Sequence, residues 1–287
     1  MKISLSTTSL IPYPLATIFA VAKELGFQGL ELGINGEVAR GGISHIRDLC
    51  HQHQMPILSL HPPMRPLPNW RTQRKTYLQL VDWARELGVS VVTFHGPGRW
   101  SKRGDMPPEF LALLLECRAR AQGQVTVSLE NGTTPWSSWL DRPRNHGEAE
   151  LIGLERLAQE HGFSLTLDTT HAAIQGGVMP VYKRLGRWIA NVHLSDRLLH
   201  LPPLPLSILD TVLLQHQVPG TGSLPLAALI HGLGRSGYGG PLTLEVSNIA
   251  LRGWNLGLVK KRLAQGVAFC REHTINFQMS ASKGRAV

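Results

Sequence analysis

Leu165-Thr-Leu-Asp168-Thr-Thr-His171 is a short β-like run that delivers a carboxylate and, three residues later, an imidazole as the chain leaves the strand. The pattern recurs. Pro56-Ile-Leu-Ser-Leu-His61, Val91-Val-Thr-Phe-His95, Val125-Thr-Val-Ser-Leu-Glu130, Ile189-Ala-Asn-Val-His193 and Leu242-Thr-Leu-Glu245 also end in side chains able to ligate a metal. One histidine after a strand is ordinary, because a buried imidazole often does no more than complete a hydrogen bond. Six successive runs ending in His, Glu or Asp form a repeat. In a parallel barrel all strands open at their C-terminal ends on one face, where active sites lie, so these runs are expected to gather their ligands around one cavity.

Working outward, strand-like runs begin near Ile3, Gly29, Pro56, Ser90, Val125, Ser164, Ile189 and Pro241. Between them, residues 14–25, 43–53, 72–87, 108–121, 148–161, 178–185, 224–233 and 254–272 carry apolar side chains at helical spacing. Gly26, Gly88, Gly162 and Gly237 stand where helices should stop, each expected to take the left-handed conformation that leads into the next strand. Strict strand–helix alternation predicts a parallel sheet, and eight units predict closure into a single (β/α)8 TIM barrel. An open doubly wound sheet is the alternative, weakened because no Gly-x-Gly-x-x-Gly follows the first strand. The barrel is expected over residues 1–279, with 280–287 as a disordered tail. Residues 133–147 and 200–217 exceed the minimal repeat and read as binding segments or packed excursions.

A length of 287 residues and a hydrophobic fraction of 43% suit one such barrel. Cys50, Cys117 and Cys270 are odd in number and lack Cys-x-x-Cys spacing, which argues against a disulfide framework and for a reducing cytoplasm. The N-terminus enters a strand without a signal-peptide core, and no run of about 18 apolar residues predicts a membrane span. A net charge of +9 favours anionic partners. Part of that charge follows strand ends: Arg65, Arg71, Arg74 and Lys75, then Arg99, Lys102 and Arg103, then Arg197 are expected to rim the cavity.

Four motifs concentrate the chemistry. Leu129-Glu130-Asn131-Gly132 sets a carboxylate and a small amide at a strand end. Asp168-Thr169-Thr170-His171 lets two donors face the cavity together. Val192-His193-Leu194-Ser195-Asp196 and Leu244-Glu245-Val246-Ser247 add an imidazole and a second glutamate. Glu130, Asp168, His193 and Glu245 thus supply mixed oxygen and nitrogen donors that suit Mn²⁺, Co²⁺, Mg²⁺ or Zn²⁺.

The order Leu-Glu-Asn, Asp-Thr-x-His, His-Leu-x-Asp, Pro-Gly-x-Gly and Leu-Glu-Val resembles the superfamily of xylose-isomerase-like sugar isomerases and epimerases that also contains endonuclease IV, over nearly the whole chain from Ile3 to about His273. The resemblance implies a TIM barrel in which Glu130, Asp168, His193 and Glu245 hold one divalent metal and the two glutamates move a proton. On that reading His171 is catalytic through a hydrogen bond to a substrate oxygen, and His61, His95 and His216 bind substrate; the placement of charge after the fourth strand adds Arg99 as a residue that binds an anionic substrate. The implied reaction is isomerisation or epimerisation next to a carbonyl of a sugar or sugar phosphate. The small-molecule partner is expected to be an anionic carbohydrate.

The same resemblance offers a second reading, a zinc phosphoester hydrolase of endonuclease IV type acting on abasic DNA or a smaller phosphodiester. Its three-zinc pattern matches His61, His95, Glu130, Asp168, His171, His193 and Glu245. The chain departs from it before Pro219-Gly220-Thr221-Gly222, where Leu214 stands two residues ahead of His216 in place of an aspartate, leaving Asp196 or Asp210 to substitute after a loop rearrangement. His216 instead fits the His-x-x-Pro-Gly-x-Gly form of the isomerase-like members. A binding protein that kept the barrel and lost catalysis is the third reading, disfavoured because every candidate carboxylate is present.

Overall fold

In a computed structural model, described over residues 1–98, 100–132, 146–198 and 213–283, eight parallel strands close into a barrel in sequence order. They are β1 (Lys2–Ser6), β2 (Gly29–Gly33), β3 (Ile57–His61), β4 (Val91–His95), β5 (Thr126–Glu130), β6 (Ser164–Asp168), β7 (Ile189–Leu194) and β8 (Pro241–Leu244). Around them run α1 (Leu15–Glu24), α2 (Gly36–His53), α3 (Gln73–Leu87), α4 (Pro108–Ala121), α5 (His146–His161), α6 (Thr169–Ile174), α7 (Val178–Leu185), α8 (Leu226–Arg235), α9 (Asn248–Leu251) and α10 (Leu256–Lys283). The chain forms a single (β/α)8 TIM barrel. The backbone of α10 continues through Ser280 to Lys283, so part of the segment expected as a tail is helical, and 284–287 lie outside the described residues.

Alternation along the strands sorts two environments. Leu30, Leu32, Leu60, Val92, Phe94, Leu129, Leu167, Val192 and Leu244 pack with Phe19, Ile46, Leu80 and Leu114 of the helices in the apolar core. The intervening residues point into the lumen, where a small polar side chain sits two residues before each strand-end ligand. Ser59 precedes His61, Thr93 precedes His95, Ser128 precedes Glu130, Thr166 precedes Asp168, Asn191 precedes His193 and Thr243 precedes Glu245. Hydrogen bonds cross-link this level: Thr93 and Ser128 both meet Thr166, Asn191 donates to Thr93, and Thr243 donates to Asn191.

Local chemistry fixes the helix ends. Gly26, Gly88, Gly162 and Gly237 have φ of 73, 68, 67 and 75°, the left-handed stop expected of them. Gln54 and Gln122 adopt the same conformation at φ 49 and 50°, ends that a glycine rule passes over. The α2 helix starts at Gly36, earlier than residue 43, because Asn35 caps it by accepting from the Glu37 and Val38 amides at 2.9 Å. Gly42, at φ 66°, kinks the helix and conceals that first segment from any search for apolar periodicity. No helix among the described residues is long and apolar enough to cross a membrane.

Candidate functional site

Parallel register pairs His95 with Glu130 and Asp168 with His193, setting neighbouring donors side by side at the barrel mouth. Glu130 is the hub. Its Oε1 lies 3.1 Å from His193 Nδ1 and 3.6 Å from His171 Nδ1, and its Oε2 lies 3.8 Å from His61 Nε2 and 3.7 Å from His95 Nε2. Glu245, just past β8, brings Oε2 to 2.8 Å from the same His193 Nδ1. Glu130, Asp168 and His193 are buried, whereas His95, His171, His216 and Glu245 keep part of their surface, so the first three form a floor and the others the opening.

Each imidazole has a defined orientation. A carbonyl oxygen only accepts, so His61 donates through Nδ1 to Pro62 at 2.8 Å and His171 through Nδ1 to Asn131 at 2.8 Å, which in the neutral rings leaves the lone pair on Nε2. His61 and His95 approach Nε2 to Nε2 at 3.0 Å. Burial, reinforced by the neighbouring His61, pushes His95 down to about 3, so its ring is neutral at pH 7. Burial also works against charge on His193, but the Glu31, Glu245 and Glu130 carboxylates outweigh it and hold the ring well above its ordinary value. Glu130 is held low in return, the His193 charge overcoming the penalty of burial.

Asp168 illustrates how backbone and site share one side chain. As N-cap of α6, its Oδ1 accepts from the His171 amide at 2.7 Å and from Thr170 Oγ1 at 2.8 Å. Its Oδ2 is buried and has no hydrogen-bond partner among the described residues. Such an oxygen is costly unless a cation meets it. Glu130, Asp168, His193 and Glu245 offer one donor atom each within 4.8 Å of one another, and two further groups, His61 with His95 and Glu130, and Asp168 with His171 and His216, meet the same limit. Carboxylates that raise the proton affinity of an imidazole attract a metal cation for the same electrostatic reason, so this donor set fits a divalent ion.

Every expected site residue therefore converges on the cavity except Arg99, which lies outside the described residues. Two other expectations need correction. Arg197 is buried and so does not rim the mouth, while Arg65, Arg71, Arg74, Lys75, Lys102 and Arg103 are exposed, Arg74 paired with Glu116 at 2.5 Å. As folded, Asp196 is committed elsewhere: its carboxylate accepts from the Gly220, Gly222 and Leu224 amides at 3.0, 2.9 and 3.0 Å and pins the Pro-Gly-x-Gly turn, so its use as a ligand requires that turn to rearrange. Asp210 lies outside the described residues.

Behind the site is a relay that motif reading misses. Asn131 accepts from the Asp168 amide at 2.7 Å and donates to Gln175 at 2.8 Å; Gln175 donates to Glu150 at 2.8 Å, and Glu150 also accepts from the Gly132 amide at 2.6 Å. The signal for Glu150 is its place on the apolar stripe of α5, four and seven residues before the buried Leu154 and Leu157. Burial pushes its carboxyl up to about 7 against those hydrogen bonds.

A family model described as xylose isomerase-like TIM barrel matches residues 19–273. An uncharacterized protein of Mycobacterium tuberculosis is 28% identical, over 96% of this chain and 98% of its own length. The fructoselysine 3-epimerase of Escherichia coli is 23% identical, over 86% and 90%. The crystal structure of a 3-keto-D-glucoside 4-epimerase from E. coli superposes with a TM-score of 0.66 at 18% identity, covering 93% of this chain and 99% of that one, a likeness of fold.

Proposed function

The chain belongs to the xylose isomerase-like TIM-barrel family, and from that premise we propose that it is a divalent-metal-dependent isomerase or epimerase that moves a proton beside a carbonyl of a sugar or sugar phosphate. The observation that carries this reading is the pair of glutamates: Glu130 from β5 and Glu245 from beyond β8 reach the same His193 Nδ1, at 3.1 and 2.8 Å. Similarity to a fructoselysine 3-epimerase supports a carbohydrate substrate. Glu130, Asp168, His193 and Glu245 would hold the ion, and Mn²⁺, Co²⁺, Mg²⁺ and Zn²⁺ all accept such donors. When bound, the ion would lower the cost of negative charge developing on a substrate oxygen.

The chain's own residues do the rest. One glutamate removes the proton from the carbon next to the carbonyl and the other returns one to the opposite face, exchanging roles in the reverse reaction. His171, its Nδ1–H fixed by Asn131, turns Nε2 to a substrate hydroxyl. His61, His95 and His216 orient other oxygens, and Arg99 with the exposed Lys102 and Arg103 attracts an anionic group. The proposed compartment is a reducing cytoplasm, in keeping with three free cysteines.

Ketoses and ketose phosphates incubated with metal-loaded protein in D₂O should take up deuterium at the carbon beside the carbonyl. The rate should fall by roughly 10²-fold or more in Glu245→Gln. Epimer formed with no deuterium from solvent would overturn the proton-transfer reading.

A second reading, hydrolysis of a phosphoester such as abasic DNA, is favoured by the two additional donor groups built on His61 and His95 and on His171 and His216. Against it stand the buried Leu214 ahead of His216 and the tethered Asp196. Metal analysis separates the two: one ion per chain, unchanged in His61→Ala and His95→Ala, supports the isomerase, whereas two or three zinc ions, lost in both variants, with chelator-sensitive cleavage of an abasic duplex, support the hydrolase.

A further inference from the structure

Among the residues that point into the lumen, one carboxylate lies outside all three donor groups. Glu31, on β2, is fully buried, and its Oε2 accepts from Ser59 Oγ at 2.8 Å, Asn191 Nδ2 at 3.0 Å and His193 Nε2 at 3.0 Å. The His193 ring stands between Glu31 and the metal-donor glutamates, with Nε2 toward Glu31 and Nδ1 toward Glu130 and Glu245. An ionised carboxylate only accepts, so the proton on Nε2 is fixed by its partner. Nδ1 faces carboxylates as well and so carries a proton in the metal-free ring; a cation held by those carboxylates would take the place of that proton and leave Nε2–H to Glu31.

We propose that Glu31 is the positioning residue that locks His193 in the ring orientation and tautomer presenting Nδ1 to the divalent ion, an inference that rests on the metal-dependent reading above. Glu31 is itself held. Ser59 and Asn191 fix its Oε2, and Asn191 is braced in turn by Thr243, which donates to its Oδ1 at 3.1 Å. Histidine ligands are oriented in this way when a carboxylate takes the ring N–H that faces away from the metal, which fixes the tautomer and raises ligand basicity. The pairing joins β2 to β7 across the barrel and gives this charged residue a role that backbone pairing alone does not require.

The test uses the full chain, stripped of metal with chelator and titrated with Mn²⁺ while free Mn²⁺ is followed by electron paramagnetic resonance. Glu31→Gln should bind about 10- to 100-fold more weakly than the parent, with stoichiometry restored at saturation and circular dichroism unchanged. Should that variant fail to fold, the parent loaded with ¹¹³Cd and ¹⁵N-labelled at histidine supplies the decisive measurement. The His193 signal, assigned by its loss in His193→Asn, should show cadmium coupled to Nδ1 and a proton on Nε2. Coupling through Nε2, or Mn²⁺ affinity within twofold of the parent in a folded Glu31→Gln, overturns the role of Glu31 alone. A parent that binds no divalent ion overturns the metal-dependent reading and this inference with it.

Discussion

At Asp168 one carboxylate serves two neighbours, and its two oxygens can be tested apart. Oδ1 caps α6 through the His171 amide, and Oδ2 has no partner among the described residues. Asp168→Asn keeps an acceptor for the cap and replaces the free oxygen with a donor, so it should abolish tight metal binding and leave apo stability almost unchanged. Asp168→Ala removes both and should lower apo stability by about 1 kcal/mol more. Metal analysis and chemical denaturation of the two variants check this; normal metal content in either one removes Asp168 from the donor set. The candidate donors are legible in sequence because metal chemistry draws on few side-chain types and strand geometry places them at the ends of apolar runs. Glu31 is legible as an inward carboxylate on the second strand, but its partners are not, and Glu150 and Gln175 are not legible in motifs at all. The Asn191 partner of Glu31 lies 160 positions away and the Asn131 partner of Gln175 lies 44, and hydropathy periodicity carries no information about such pairings.

At the level of elements, the junction after β5 is closely packed against His171. Gly132 has φ of 91°, and a Cβ there would collide with the His171 side chain. Gly132→Ala should therefore displace His171, lowering turnover at least tenfold and stability by about 1–3 kcal/mol, with metal content preserved because Asp168 and Glu130 stay on their strands. Loss of turnover without any loss of stability would mean that the glycine is not constrained in this way. Strand starts follow the sequence to within one residue throughout, since a buried parallel strand is a short apolar run with little ambiguity. Helix starts follow less closely where a cap or kink interrupts the apolar period, as at Asn35 and Gly42. The four-residue α9 is too short to show a period at all.

Across the whole molecule, pH sets two opposed contributions to stability. Glu150 has its folded value raised from 4.5 to about 7, so the stability it permits is complete below pH 4.5 and is lost as pH rises through 7. His95, lowered from 6.5 to about 3, contributes stability above pH 6.5 that is lost as pH falls toward 3. Comparing Glu150→Gln with the parent cancels the histidine. The parent should weaken relative to the variant between pH 4.5 and 8 by an amount on the order of 3 kcal/mol, measured by urea denaturation of metal-free protein; a pH-independent difference would show that Glu150 does not titrate in this window. Composition and net charge constrain the fold and partner class, but not the burial of Arg197.

The hydroxyls and amide that line the lumen stitch β4 to β8 through side chains as well as backbone, so the donor-bearing strands cannot slide past one another singly. The level just beneath the candidate donors is consequently cross-braced, and the apparatus is assembled before any guest arrives. Arrival then demands little reorganisation of the floor, and adaptation to a different guest can proceed in the connecting loops while the strands beneath remain untouched.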